Sequence, residues 1–379
     1  MIELTHFKRF DNLSDYINYI ADNPSLPNVS FVGDHRDVYC MNKKDPVPPG
    51  PIPVKNYFKF VVKNNGYIRW YNRRTSGKVI EYSKDKGINW TSITANTATT
   101  IPVVAGDVIL FKGLNDTYSG STFSGTTCQF DVEGNIMSLI YDNDFEDKTT
   151  LVNSYTFQQL FNGCTGLISA KNLELPATTL TDSCYREMFE SCSSLVETPK
   201  LSAMTLTKSC YAYMFYDCTS LTTTPELPAT TLSESCYVGM FRDCTSLTTA
   251  LVLPATTLAN DCYSAMFQGC TSLVNAPVLP ATTLTKSCYN SMFSGCTSLT
   301  TAPELPATTL TNNCYEYMFQ GCTSLNYIKC LATNISASYC TYVWTYGVSS
   351  TGTFVKNASM DSWTTTYNGI PEGWTVEDA

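Results

Sequence analysis

The sequence predicts a multi-domain α/β protein: an N-terminal docking segment, an antiparallel β-sandwich, then a solenoid of about seven 26-residue coils closed by a β cap. Three observations predict it. Cysteines and the text around them recur every 26 residues through the second half of the chain. Short alternating apolar segments separated by turn residues fill residues 55–145. A proline-rich run, VPPGPIPV, sets that region apart from the chain start. The expected boundaries are a docking unit at 1–46, a spacer at 47–54, the sandwich at 55–145, the solenoid at 146–345 and the cap at 346–379.

In the docking unit, DNLSDYINYIADN (11–23) places Leu13, Tyr16, Ile17 and Ile20 at helical spacing, and a strand-like VSFV follows at 29–32. Some forty residues are too few for an independent core, so the unit is expected to dock on a partner. The sandwich strands are FKFVV (58–62), YIRWY (67–71), VIEYS (79–83), INWTSI (88–93), VILFKG (108–113) and CQFDV (128–132). After the coils, GTFVKN (352–357) and GIPEGWTVEDA from Gly369 are expected to pair as the cap.

The coils are defined by two cysteine series. Cys184, Cys210, Cys236, Cys262, Cys288, Cys314 and Cys340 recur every 26 residues, and so do Cys192, Cys218, Cys244, Cys270, Cys296 and Cys322. Between them the text is nearly verbatim, as in LPATTLSESCYVGMFRDCTSL from Leu227 and LPATTLANDCYSAMFQGCTSL from Leu253. Within Cys-Tyr-x-x-Met-Phe-x-x-Cys, a 100° step puts Cys210, Tyr211, Met214, Phe215 and Cys218 on one face, and the positions that vary between copies on the other. The expectation is a two-turn helix held by packing, capped by residues such as Thr207 and Ser209. The threonine-rich remainder, broken twice by proline, should stack as two short extended pieces per coil. Strands about 4.8 Å apart against helices about 8–10 Å apart would curve the stack, helices outside.

The pattern C-T-S-L-x-x-A-P-x-L-P-x-x-x-L-x-x-x-C-Y-x-x-M-F-x-x-C resembles the BspA-like leucine-rich repeat of bacterial surface proteins, over about residues 155–345. Met-Phe stands here where that repeat usually has Ala-Phe. The resemblance implies a leucine-rich-repeat solenoid used in adhesion or recognition, without naming a ligand.

Composition narrows the chemistry. Acidic residues outnumber basic ones 33 to 24, the net charge is −9, and no Lys/Arg run occurs, which argues against a nucleic-acid partner. With His6 and His35 the only histidines, histidine-centred catalysis and multi-histidine metal sites are excluded. No stretch of about 18 apolar residues occurs and Met1–Asn23 lacks a signal-peptide core, so no membrane partner and no export signal are expected. Synthesis in a reducing cytosol then makes the 17 cysteines, an odd number, small buried hydrophobes in ladders rather than disulfides or zinc ligands.

Ser83-Lys84-Asp85-Lys86-Gly87-Ile88-Asn89-Trp90 matches the Asp-box pattern S-x-D-x-G-x-x-W, a hairpin turn recurrent in sialidases and other glycan-processing proteins, where its role is structural. Paired carboxylates could be drawn from Asp142, Asp144, Glu146 and Asp147, though an acidic loop reads first as a solvated connection, with a weak Ca²⁺ site as the alternative. No phosphate-cradling Gly-rich motif is present, and no catalytic residue, cofactor or metal is expected.

What remains is surface. Thr222, Thr248 and Thr300 on the strand side and Tyr213, Tyr216 and Tyr317 on the helix side are the candidate ligand residues, suited to a carbohydrate or protein. The whole chain also resembles repeat-containing virion proteins of crAss-like gut phages, including its DNLSDYINYI start and GIPEGWTV end. That resemblance implies a non-enzymatic head fibre or capsid decoration, made in the host cytoplasm without a signal peptide. It would join capsid or other virion proteins through 1–46 and offer the solenoid to host-surface or mucus glycans or proteins, with homo-oligomerisation left open. The alternatives are a bacterial cell-surface adhesin and, from another class, a glycan-processing enzyme.

Overall fold

The computed structural model describes residues 55–72, 77–250 and 252–379, together with two strands near the chain start. These are β1 (Val29–Val32) and β2 (Val38–Met41), paired antiparallel from Val29↔Met41 to Val32↔Val38. The expected helix at 11–23 and the spacer at 47–54 lie outside the described residues, as does most of the docking unit. The chain divides into two compact units, Met1–Lys55 and Asn56–Ala379.

The second unit opens with β3 (Phe58–Val62), β4 (Gly66–Arg69), β5 (Tyr71–Asn72), β6 (Val79–Ser83), β7 (Thr91–Thr94), β8 (Thr100–Val103), β9 (Val108–Lys112), β10 (Ser121–Thr122) and β11 (Phe130–Asn135). β11, β3, β9, β6 and β7 form one antiparallel sheet, while β4 pairs with β8 and β5 with β10. The alternation of β3 turns Phe58, Phe60 and Val62 inward. Phe123, just beyond β10, bridges the layers, 4.8 Å from the Phe60 ring and 4.7 Å from that of Trp70. A single α-turn, α1 (Ser138–Tyr141), is the only helix among the described residues.

The strand-rich segment and the coils, expected as separate domains meeting at 145/146, form one stack. β11 pairs in parallel with β12 (Leu167–Ser169) and β13 (Leu173–Glu174) of the first coil. One aromatic column starts at Tyr118, passes through Phe157, Tyr185, Tyr211, Tyr237, Tyr263, Tyr289 and Tyr315, and ends on Trp344 and Trp363. A second runs from Phe123 through Phe161 and Phe189 to Phe319. One buried cluster therefore extends from Tyr57 to Trp374.

The expected helices are absent. Each Cys-Tyr-x-x-Met-Phe-x-x-Cys run is a chain of tight turns with two alternating hydrogen-bond systems. Ala212, Met214, Tyr216 and Cys218 donate to the carbonyls three residues back, at 3.1–3.3 Å. Ser209, Tyr211, Tyr213, Phe215 and Asp217 donate instead to the next coil, from Glu234 O to Arg242 O, at 2.8–3.1 Å. Every backbone donor is thereby satisfied without a helix. Residues 209, 213 and 217 have φ of 54°, 55° and 59°, so Ser209 is a left-handed residue and not a helix cap.

The residue before each ladder cysteine is Ser, Asp, Asn or Gly through the regular copies, and it carries the positive φ: Ser235, Asp243, Asp261, Gly269, Ser287, Gly295, Asn313 and Gly321. Direct backbone bonds also hold this side at strand-like spacing, with Phe rings 5.2–5.9 Å apart, so the curvature expected from helix–strand mismatch loses its cause.

On the other side, single-residue parallel bridges replace regular strands, as in Thr223↔Thr249↔Asn275↔Thr301↔Tyr327 and Thr231↔Thr257. Regular strands reappear at the end, where β14 (Tyr327–Cys330), β15 (Thr353–Lys356) and β16 (Thr375–Asp378) form a parallel sheet. The two segments expected to pair after the coils are the β15–β16 pair.

Candidate functional site

The coil interior is consumed by packing. Cys, Tyr, Met, Phe and Leu of each repeat are buried, and the sixteen cysteines whose side chains are described are all free and buried. The second column has a specific tie: the thiols of Cys192, Cys218, Cys244, Cys270, Cys296 and Cys322 donate to the carbonyls of Phe161, Phe189, Phe215, Phe241, Phe267 and Phe293 at 3.0–3.1 Å. In the first column Cys184 and Cys314 sit only near the Cys210 and Cys340 carbonyls, at 4.0 and 3.8 Å; Cys210, Cys236, Cys262 and Cys288 are buried between them. Burial pushes the thiols up, Cys210 and Cys322 to about 12, which keeps them protonated and unreactive.

The six candidate surface residues are not brought together. Thr222, Thr248 and Thr300 are exposed on the bridge side, in a column carried by bonds from Thr248 N to Thr222 O (3.4 Å) and Asn326 N to Thr300 O (3.0 Å), and broken by Val274. Tyr213 and Tyr216 are half-buried on the turn side, edge to face at 6.1 Å. Arg242 lies 5.6 Å over the Tyr216 ring, and Tyr213 lies across Gly239, where a Cβ would strike its ring. Tyr317 is elsewhere on that side, 5.6 Å from Tyr342.

Two features escaped the sequence reading. The Thr-Thr pair of each LPATTL, such as Thr230–Thr231, Thr256–Thr257 and Thr282–Thr283, is exposed although identical from copy to copy. The signal lies in the text itself, since the pair recurs in every LPATTL copy. The other feature is a group of exposed tyrosines at the last coil, Tyr339, Tyr342, Tyr346 and Tyr367, which lie outside the regular repeat and therefore carried no periodic signal.

The Asp-box match forms the tip of the β6–β7 hairpin. The Ser83 hydroxyl donates to Asp85 (2.7 Å) and accepts from Gly87 N (2.9 Å), Asp85 accepts from Asn89 N (2.9 Å), and Trp90 Nε1 donates to Gly87 O (3.0 Å). Those hydrogen bonds from Asn89 and Ser83 hold the Asp85 carboxyl down at about 2. Beneath it Lys112, only 7% exposed, pairs with Asp142 at 2.9 Å and Glu81 at 3.2 Å, and packs 4.7 Å from the Trp90 ring. Burial alone would lower the Lys112 pKa, but the hydrogen bonds to Asp142 and Glu81 outweigh it and leave it raised. Asp142 is thus tied to an ammonium group, and among the described residues no three His, Cys, Asp or Glu side chains converge on a metal position.

An open polar cleft of about 540 Å³ lies where the strand-rich segment meets the coils, lined by Lys59, Glu133, Lys171, Glu174 and Lys200 among others. Its charges are largely paired: Lys59 with Glu133 at 3.6 Å, Lys171 with Glu197 at 3.2 Å, and Glu174 with the Asn56 amide at 2.8 Å.

A repeat solenoid with a packed interior and a varied exterior is a scaffold for recognition. This chain belongs to the BspA-type leucine-rich-repeat family, whose repeat region matches residues 140–266 and 234–345 in six copies, more than half of the 379 residues. Such a region points to a protein-interaction or adhesion surface. No curated protein and no solved structure matches the chain significantly. No described helix is long and apolar enough to cross a membrane.

Proposed function

We propose that this chain is a non-enzymatic recognition protein, displayed as a phage head fibre or capsid decoration, whose coil stack engages host-surface or mucus glycans or proteins. The observation that carries recognition is the division of labour within a coil. Interior positions repeat the same residues, while turn-side positions that reach solvent change, as from Tyr216 to Arg242, Gln268 and Gln320, and from Glu187 to Tyr213 and Ser291. The Lys112–Asp142 pair supports the non-enzymatic reading, since it removes one of the carboxylates a hydrolase would draw on. The placement on a virion rests on the resemblance of the chain ends, with residues 1–46 as the anchor.

Proteomics of purified particles and of host envelopes tests the placement. Recovery with particles, abolished by deleting residues 1–46, is the expected result. Recovery only with envelopes would sink it and favour the runner-up, a bacterial cell-surface adhesin. Hydrolysis of a glycan panel that disappears in Asp142→Asn would favour an enzyme instead.

A further inference from the structure

We propose that Tyr317, Tyr339, Tyr342, Tyr346 and Tyr367 form a stacking platform for a neutral carbohydrate. The proposal rests on the recognition reading above and deepens it by giving the ligand class and its place, the turn side of the last coil.

The first observation is exposure in the wrong residue type for a solvated face. Tyr339, Tyr346 and Tyr367 are 62%, 58% and 51% exposed, and Tyr342 is 38% exposed. Stacking does not demand tyrosine there. The column that ends in Tyr339 holds Ser235, Asp261, Ser287 and Asn313 in preceding coils, and the one that ends in Tyr346 holds Gln268, Ser294 and Gln320.

The second observation is ring geometry. In the buried tyrosine column neighbouring rings are nearly parallel, 4–22° apart, so both faces of each ring are covered. At the last coil the pairs are edge to face: Tyr317–Tyr342 at 76°, Tyr339–Tyr342 at 84° and Tyr346–Tyr367 at 89°, with centroids 5.4–6.0 Å apart. An edge-to-face contact covers one face of only one of the two rings. A ligand with a flat C–H-lined face can lie on the remaining ring faces, and a pyranose offers such a face, rimmed by hydroxyls that suit the phenols and the Gln320 amide.

Charge selects the neutral class. No Lys or Arg occupies the turn run from Asn313 to Gly321 or from Tyr339 to Gly347. The one acid there, Glu316, is engaged by the Asn290 and Asn313 amides at 2.8 and 2.6 Å. An anionic glycan would find no cation and would meet a protein of net charge −9. The platform is also preorganised, because Tyr317 N donates to Tyr342 O (2.9 Å), Gly321 N to Tyr346 O (2.8 Å) and Thr345 N to Tyr367 O (3.2 Å).

The test uses the full chain and four proteins: wild type, Tyr339→Ala/Tyr346→Ala, Tyr339→Phe/Tyr346→Phe, and, as a control at an exposed tyrosine outside the last coil, Tyr155→Ala. Each is applied to an array of neutral oligosaccharides built from glucose, galactose, mannose and N-acetylhexosamines, beside sialylated and sulfated glycans and mucin. The best neutral binder is then titrated calorimetrically. Wild type and Tyr155→Ala are expected to bind alike, the double Phe variant to keep most of the affinity, and the double Ala variant to lose roughly ten-fold or more. Matching thermal melts exclude misfolding, since the substituted tyrosines are exposed. Neutral-glycan binding undiminished in the double Ala variant overturns the platform and leaves the recognition reading standing. Binding only to acidic glycans or to mucin protein does the same. Self-association of the wild type that the double Ala variant abolishes, without glycan binding, overturns the platform in favour of a second copy of this chain. No binding to any glycan or to mucin, without self-association, overturns the platform and leaves only a host-surface protein as ligand for the recognition reading.

Discussion

Ala265 has a φ of 54°, in the position that Gly239 fills in the coil before at 58°. A left-handed conformation costs an L-residue about 1–2 kcal/mol, more than the 0.5–1 kcal/mol by which glycine disfavours a helix. Ala265→Gly is therefore expected to stabilise by up to about 1 kcal/mol in urea unfolding. A loss of that size would restore the helix. At the ladder, Cys244→Ala removes both a buried side chain and the donor to Phe215 O, and should cost about 1–2 kcal/mol. Reductant should leave the melt of wild type unchanged, because the described thiols are free.

At the scale of elements, the ends of the stack decide whether the repeats hold. Strand-rich residues close one end by starting both aromatic columns, at Tyr118 and Phe123. Trp344 closes the other. Its indole stacks on Tyr315 at 6.1 Å, meets Phe319 at 6.1 Å and Trp363 at 5.8 Å, and donates to Gly369 O at 2.9 Å. One large ring thus terminates two columns. Trp344→Ala is expected to cost about 3–5 kcal/mol and to expose β15 and β16 to hydrogen exchange before the inner coils. Uniform protection in that variant would count against a capping role.

For the whole molecule, repetition multiplies small effects. Burial raises each ladder thiol well above the free value of about 8.5, so above that pH the unfolded chain loses protons that the folded chain retains. Stability is then fully present below the unfolded pKa and falls as pH rises toward the folded one, by roughly 1.4 kcal/mol per pH unit for each thiol. With both columns acting together, unfolding followed from pH 8 to 11 should show a steep loss beginning near pH 9. Replacing several ladder cysteines by alanine should flatten the slope while lowering stability at pH 7. A flat profile in wild type would mean that the thiols are not buried as a set.

The coil length, the buried identity of Cys, Tyr, Met and Phe, and the repeat family were legible because packing against an identical neighbour forces identical text. The Asp-box hairpin and the pairing of the last two segments were legible for a local reason, a turn motif and alternating strands. The backbone of the turn run was not. A four-residue spacing of inward side chains fits a helix and a chain of tight turns equally well, and only hydrogen bonding to the next coil selects the turns. The union of the strand-rich segment with the coils was hidden too, because β11 meets β12 through backbone bonds that no side chain announces. Tyr317 stands beside Tyr342, and Tyr346 beside Tyr367, only because stacking sets residues about a coil apart in sequence next to one another. The sequence by itself determined the repeat and what it buries. Tertiary structure alone decided the path of the backbone between coils, and hence which side chains share a surface.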